Sequence, residues 1–100
     1  MVQSQYDTST NTQNIALAER FDFSIQKEFR DAYRHTEKPH VEFKVDLPDT
    51  RYIDSAALGM LLVLDDHAQQ LGGKVILCKP SDDALKILQF ANFDHIFDIR

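Results

Sequence analysis

The chain has 100 residues and a mass of 11.5 kDa, with 43% hydrophobic and 27% charged residues and a formal net charge of -5. That size accommodates one hydrophobic core and one domain, residues 1–100, and the acidic balance excludes a phosphate-backbone binder, whose affinity comes from clustered Lys and Arg, so no nucleic-acid partner is expected. No stretch approaches the ~20 apolar residues of a membrane-spanning helix, and Met1-Val2-Gln3-Ser4-Gln5 lacks the charged and apolar regions of a signal peptide; a cytoplasmic location without membrane insertion is expected.

Residues 1–12 are rich in Ser, Thr, Asn and Gln and read as a frayed arm or as an edge strand around Gln5 to Ser9. Ile15 and Leu17 alternate with polar neighbours and predict a strand over Asn14 to Ala18. Ser24 is placed to cap a helix in which Ile25, Phe29, Ala32 and Tyr33 recur at helical spacing, with Pro39 as its far limit. Val41, Phe43, Val45 and Leu47 alternate with Glu42, Lys44 and Asp46, which predicts a strand with one buried and one polar face. Such a sheet is covered on one side only.

Asp54-Ser55-Ala56-Ala57-Leu58-Gly59 follows a strand-like stretch and opens the longest apolar helix pattern. Ala57, Leu61, Leu64, Ala68 and Leu71 form a stripe for the core, flanked by Leu58 and Leu62 on one side and by Met60 and Val63 on the other. Those flanks face either neighbouring helices or a partner. Ser55 reads as the helix N-cap, or as a phosphoacceptor, because unpartnered N–H groups and the positive end of the helix dipole favour a phosphate there. Asp54, and Asp22 before the first helix, read by spacing alone as turn residues.

Gly72-Gly73 ends that helix, and Val75-Ile76-Leu77-Cys78 has the continuous apolar character of a doubly covered parallel strand, so the sheet is expected to be mixed. Pro80-Ser81-Asp82-Asp83 starts a last helix with acid in its first turn, Asn92 stops it, and Phe97 and Ile99 close the chain as a short strand. The order is β, β, α, β, α, β, α, β, an α/β fold with a small mixed sheet.

Enzymatic chemistry finds little support. A strand-to-helix serine nucleophile needs Gly two residues before and after it, where Ser55 has Ile53 and Ala57. Gly72-Gly73 follows a helix rather than a strand, so there is no phosphate loop. His35, His40, His67 and His95 are scattered without metal-site spacing, and Cys78 reads as core packing in a reducing compartment. No enzyme, cofactor or metal is expected.

The motif Asp54 to Gly59 resembles the Asp-Ser-Ser/Thr-Gly-Leu-Gly signature of STAS domains that act as bacterial anti-sigma factor antagonists. Arg20-Phe21-Asp22 is similar to that family's turn before its first helix, Gly72-Gly73-Lys74 to its turn into the next strand, and Ala91 to Phe97 to its closing segment. The resemblance implies a small mixed sheet with helices packed on one face. It also implies phosphorylation of Ser55 by a serine kinase that doubles as anti-sigma factor, reversed by a PP2C-type phosphatase. Ala56 replaces the motif's second hydroxyl and Ala57 its glycine, so Ser55 is the only acceptor in the motif; Glu19 stands where the family often has glycine. Partner contact is expected at Asp22, Asp54, Ala56, Leu58, Gly59, Met60, Leu62 and Val63. The alternative is a non-phosphorylated structural STAS subunit of a bacterial complex such as a lipid-transport ABC system; direct nucleotide or lipid binding ranks last.

Overall fold

A computed structural model describes residues 2–100. The chain opens with the hairpin β1 (Val2–Asp7) and β2 (Thr12–Leu17), paired antiparallel. The short strand β3 (Arg20–Phe21), a 3-10 turn (Phe23–Ile25) and α1 (Gln26–Asp31) follow. Then come β4 (Glu42–Asp46), the short strand β5 (Tyr52–Ile53), α2 (Ser55–Gln70), β6 (Lys74–Cys78), α3 (Asp82–Phe90), a second 3-10 turn (Phe93–His95) and β7 (Asp98–Ile99). The five-stranded sheet has the order β1-β2-β4-β6-β7, parallel from β2 onward. Each crossover steps to the next strand in one direction, so the right-handed rule places all three helices on the same face. The expected mixed sheet with one covered face is therefore present.

The sheet's two faces differ as the alternation requires. Ile15, Phe43, Val45, Val75 and Leu77 are buried under the helices and join one core cluster with Phe21, Phe29, Leu61, Leu64 and Leu88. Glu42, Lys44 and Asp46 lie on the other face, only partly buried. In β6, Ile76 sits on that second face between Lys44 and Asp98 in register, yet it is fully buried. The unbroken apolar run therefore marks a strand enclosed between β4 and β7, not the strand covered on both faces that it was expected to be, since all three helices lie on one face.

Four boundaries differ from the sequence reading. The first strand runs Val2–Asp7, because Ser9 donates from both its N–H and its hydroxyl to Asp7 Oδ1 and folds the chain into a turn where strand was expected. The second begins two residues earlier than predicted, at Thr12, and ends at Leu17. Polar Gln13 is buried there, its amide held by Ser4, the Ala32 carbonyl and the Thr36 hydroxyl. Ser24 does not cap the first helix: the Asp22 side chain accepts from Ser24 N–H at 3.0 Å and caps the 3-10 turn before α1, and α1 itself ends at Asp31, with Ala32 and Tyr33 in the turn that follows. The last strand pairs only Asp98 and Ile99, with Phe97 turned into the core.

Gly72 takes φ 72°, the left-handed conformation that ends α2. At Gly73 a Cβ would stand 1.9 Å from the Val41 carbonyl oxygen, so only glycine lets α2 leave this closely over β4.

Candidate functional site

Two strand-to-helix crossings lie side by side at one end of the molecule. β3 and β5 pair in parallel, Arg20 opposite Tyr52 and Phe21 opposite Ile53. Each strand is followed by an aspartate in extended conformation that caps what comes next: Asp22 caps the first 3-10 turn and Asp54 caps α2. The Asp54 Oδ1 accepts from Ala57 N–H at 2.8 Å, and its Oδ2 from Phe23 N–H at 3.2 Å. Asp22 accepts from the Ser24 hydroxyl and N–H and, at 3.0 Å, from Arg20 Nε. The Ser24 hydroxyl, then the Ser24 N–H and the Arg20 guanidinium, hold its carboxyl below the usual carboxylate range against the opposing effect of burial. Arg20 also stacks over the Tyr52 ring, 4.5 Å from its centroid.

This geometry corrects the N-cap reading of Ser55. Asp54 is the cap, and Ser55 is the first residue inside the helix. Both types cap well, but the β3–β5 pairing leaves the chain extended through Asp54, which puts its carboxylate at the first turn. Ser55 is exposed, and its hydroxyl has no hydrogen-bond partner among the described residues. The backbone N–H groups of Ser55 and Ala56 likewise find no acceptor among the described residues. Glu19 lies outside the left-handed region, and its carbonyl accepts from Arg51 and Tyr52 N–H, so glycine's freedom is not needed there.

Beside Ser55, α1 and α2 enclose a groove of about 430 Å³. Ala56, Gly59, Met60 and Val63 form its α2 wall, while Phe23, Gln26 and Arg30 stand on the other side over Phe29 and Tyr33. Phe23 is 63% and Val63 59% exposed. The expected partner positions thus divide: Ala56, Gly59, Met60 and Val63 line the groove, with Met60 itself buried at its base. Leu58 packs against the core on the opposite flank, and Leu62 is exposed beyond it. Asp54 and Asp22 are not in the groove's lining, and their carboxylates are occupied by local donors.

Sequence reasoning missed Phe23, Gln26, Arg30 and Tyr33 as groove residues, and the stacking of Arg20 on Tyr52 across β3 and β5. The available signal was Phe23, an aromatic directly after a cap and outside the buried helical stripe. Among the described residues there is no cluster of potential metal ligands, and no helix is long and apolar enough to cross a membrane.

Residues 4–99 match a family model described as "Mlab, STAS domain". A STAS-domain containing protein of Pseudomonas aeruginosa (strain UCBPP-PA14) is 41% identical over 85 residues, which are 85% of this chain and 84% of that protein. An anti-sigma-factor antagonist (STAS) domain protein from Planctomyces limnophilus superposes with a TM-score of 0.82 at 14% identity, over 98% of this chain and 87% of its own. The anti-sigma factor antagonist SpoIIAA in its unphosphorylated form superposes with a TM-score of 0.72 at 19% identity, over 100% of this chain and 87% of its own. At these identities the structural likeness is one of fold.

Proposed function

The chain belongs to the STAS-domain family, and from that membership we propose that it is an anti-sigma factor antagonist in which phosphorylation of Ser55 controls binding to an anti-sigma factor or serine kinase. A PP2C-type phosphatase on a separate chain restores the binding form. The protein itself is a non-enzymatic module acting in the cytoplasm. The fold neighbour SpoIIAA, an anti-sigma factor antagonist described in its unphosphorylated form, supports this reading.

The observation that carries it is the division of labour at the start of α2. Asp54 holds the cap, which leaves the Ser55 hydroxyl exposed and unengaged beside an apolar groove. Phosphoserine brings about -1.5 to -2 charge to this position. At the first helical residue the dipole tolerates that charge, so the fold persists. A partner packed over Ser55 meets a bulky anion beside Asp54 and is released by repulsion and desolvation. A loss of ~3 kcal/mol weakens binding by more than a hundredfold.

The test is site-localised mass spectrometry of the protein from its native cells, with pull-downs comparing Ser55→Ala and Ser55→Asp. Modification at Ser55 and different retained partners are expected. An unmodified Ser55 with identical partners for both variants would refute the switch. That outcome would favour a second reading, a non-phosphorylated structural STAS subunit of a bacterial complex such as a lipid-transport ABC system, which is equally consistent with membership of the STAS family.

A further inference from the structure

We infer that the groove between α1 and α2 receives an acidic, amphipathic helix from the partner, its apolar face on Phe23, Met60 and Val63 and a carboxylate on Arg30. The inference rests on the reading of this face as the partner surface and adds the chemistry of what binds there.

Three observations select that occupant. The walls are α2 on one side and the 3-10 turn and α1 on the other, whose backbone polar groups are largely bonded internally, so beyond the Ala56 N–H at one end the groove offers a guest few donors or acceptors other than the Gln26 and Arg30 side chains. An extended segment would bury its own N–H and C=O groups unmet, whereas a helix satisfies its own. Charge selects the sign. Arg30 is the one charged residue lining the groove, and among the described residues it forms no ion pair; Lys27, three residues before it on α1, is also without one. An unpaired cation, Arg30, in the lining of an apolar groove complements a carboxylate on the guest.

Gly59 is the third. A Cβ there would meet nothing within 4 Å, and its φ is not left-handed, so neither packing nor backbone within this chain requires glycine in mid-helix. With Ala56 three residues earlier, it leaves a low stretch in the α2 wall where a crossing helix can approach closely. Ser55 lies one turn before Gly59 on the same side of α2, so a phosphate there faces the acidic guest directly.

The experiment selects binders to the whole protein from a displayed library of helix-forming peptides with randomised surfaces, then maps the enriched peptides by amide chemical shifts. Enrichment of acidic peptides with apolar residues at i, i+3 and i+7, shifting Ala56, Gly59 and Val63, is expected. Arg30→Glu should weaken them about tenfold and favour lysine-bearing counterparts, and Gly59→Gln should weaken them at least about tenfold with the circular dichroism spectrum unchanged. No enrichment, basic or extended binders, shifts on another face, or indifference to Arg30→Glu would overturn the inference. Binding that depends on Arg30 but is unchanged by Ser55→Asp would leave the groove inference standing and count against the phosphorylation switch.

Discussion

Asp54 fastens Phe23 to the start of α2. One carboxylate oxygen accepts the Phe23 N–H at 3.2 Å while the other accepts the Ala57 N–H at 2.8 Å. A single side chain therefore sets both where α2 begins and where the exposed Phe23 ring stands at the mouth of the groove.

Asp54→Ala removes both bonds and should cost about 2 kcal/mol of stability, combining a lost cap with an unmet backbone donor. Asp54→Asn keeps a capping oxygen and should lose less than about half of that. Urea unfolding of the three proteins measures the difference. Equal stability of wild type and Asp54→Ala would show that the carboxylate does not hold the two crossings together.

Gly59 and Gly73 should respond in opposite directions to alanine. Gly59→Ala adds a methyl into open space and removes a mid-helix glycine, which should stabilise the free protein by up to about 1 kcal/mol. Gly73→Ala drives a methyl into the Val41 carbonyl and should destabilise by more than about 3 kcal/mol or prevent folding. Thermal melts decide both, and a destabilised Gly59→Ala would contradict the open space seen beside it.

Leu61 and Val63 lie two residues apart on α2, yet Leu61 is fully buried and Val63 is 59% exposed. Leu61→Ala should cost about 2–5 kcal/mol through lost burial and the cavity left behind. Val63→Ala should change stability by less than about 0.5 kcal/mol. Similar losses in the two variants would mean that Val63 faces the core rather than the groove.

Asp22 predicts a pH dependence. Its folded-state pKa is depressed, first by the Ser24 hydroxyl, so its stabilising contribution is fully present above the unfolded value of about 3.9 and disappears as pH falls through the lower folded value. The stability gap between wild type and Asp22→Asn should therefore narrow on acidification from about pH 5 to about pH 2. Asp7, whose carboxyl is also held low by Ser9, is common to both proteins and cancels in that difference. A gap that stays constant or widens would remove Asp22 from the acid response.

Cys78 is buried, and burial first, then the Asp46 charge, pushes its thiol up. Because the thiolate is the reactive form, iodoacetamide should label the native protein much more slowly than the urea-unfolded chain. Equal rates would place the sulfur at the surface.

The strongest periodicities translated directly into structure. The alternation from Val41 to Leu47 became β4 with Phe43 and Val45 inward, and the stripe Ala57, Leu61, Leu64, Ala68 became the buried side of α2. The two-residue strands β3 and β5 were not legible, because two residues carry no period. Nor was the choice between Asp54 and Ser55 as cap, since both suit the position chemically. Buried Gln13 was equally hidden: a polar residue reads as exposed until Ser4, Ala32 and Thr36 surround it.

Local pattern and motif chemistry alone determined the order of the helices and of the five strands of the main sheet, its one covered face, the start of α2 beside a lone hydroxyl and the family to which the chain belongs, because each is written in spacings of a few residues. The tertiary structure decided which residue caps, which flank of α2 stays open and which side chains of α1 face it. Those depend on how β3 meets β5 and how α1 crosses α2, contacts between residues some thirty positions apart such as Phe23 and Asp54. Such pairings leave no trace in the short-range pattern, since the same apolar residue serves a core or a groove depending only on what packs against it.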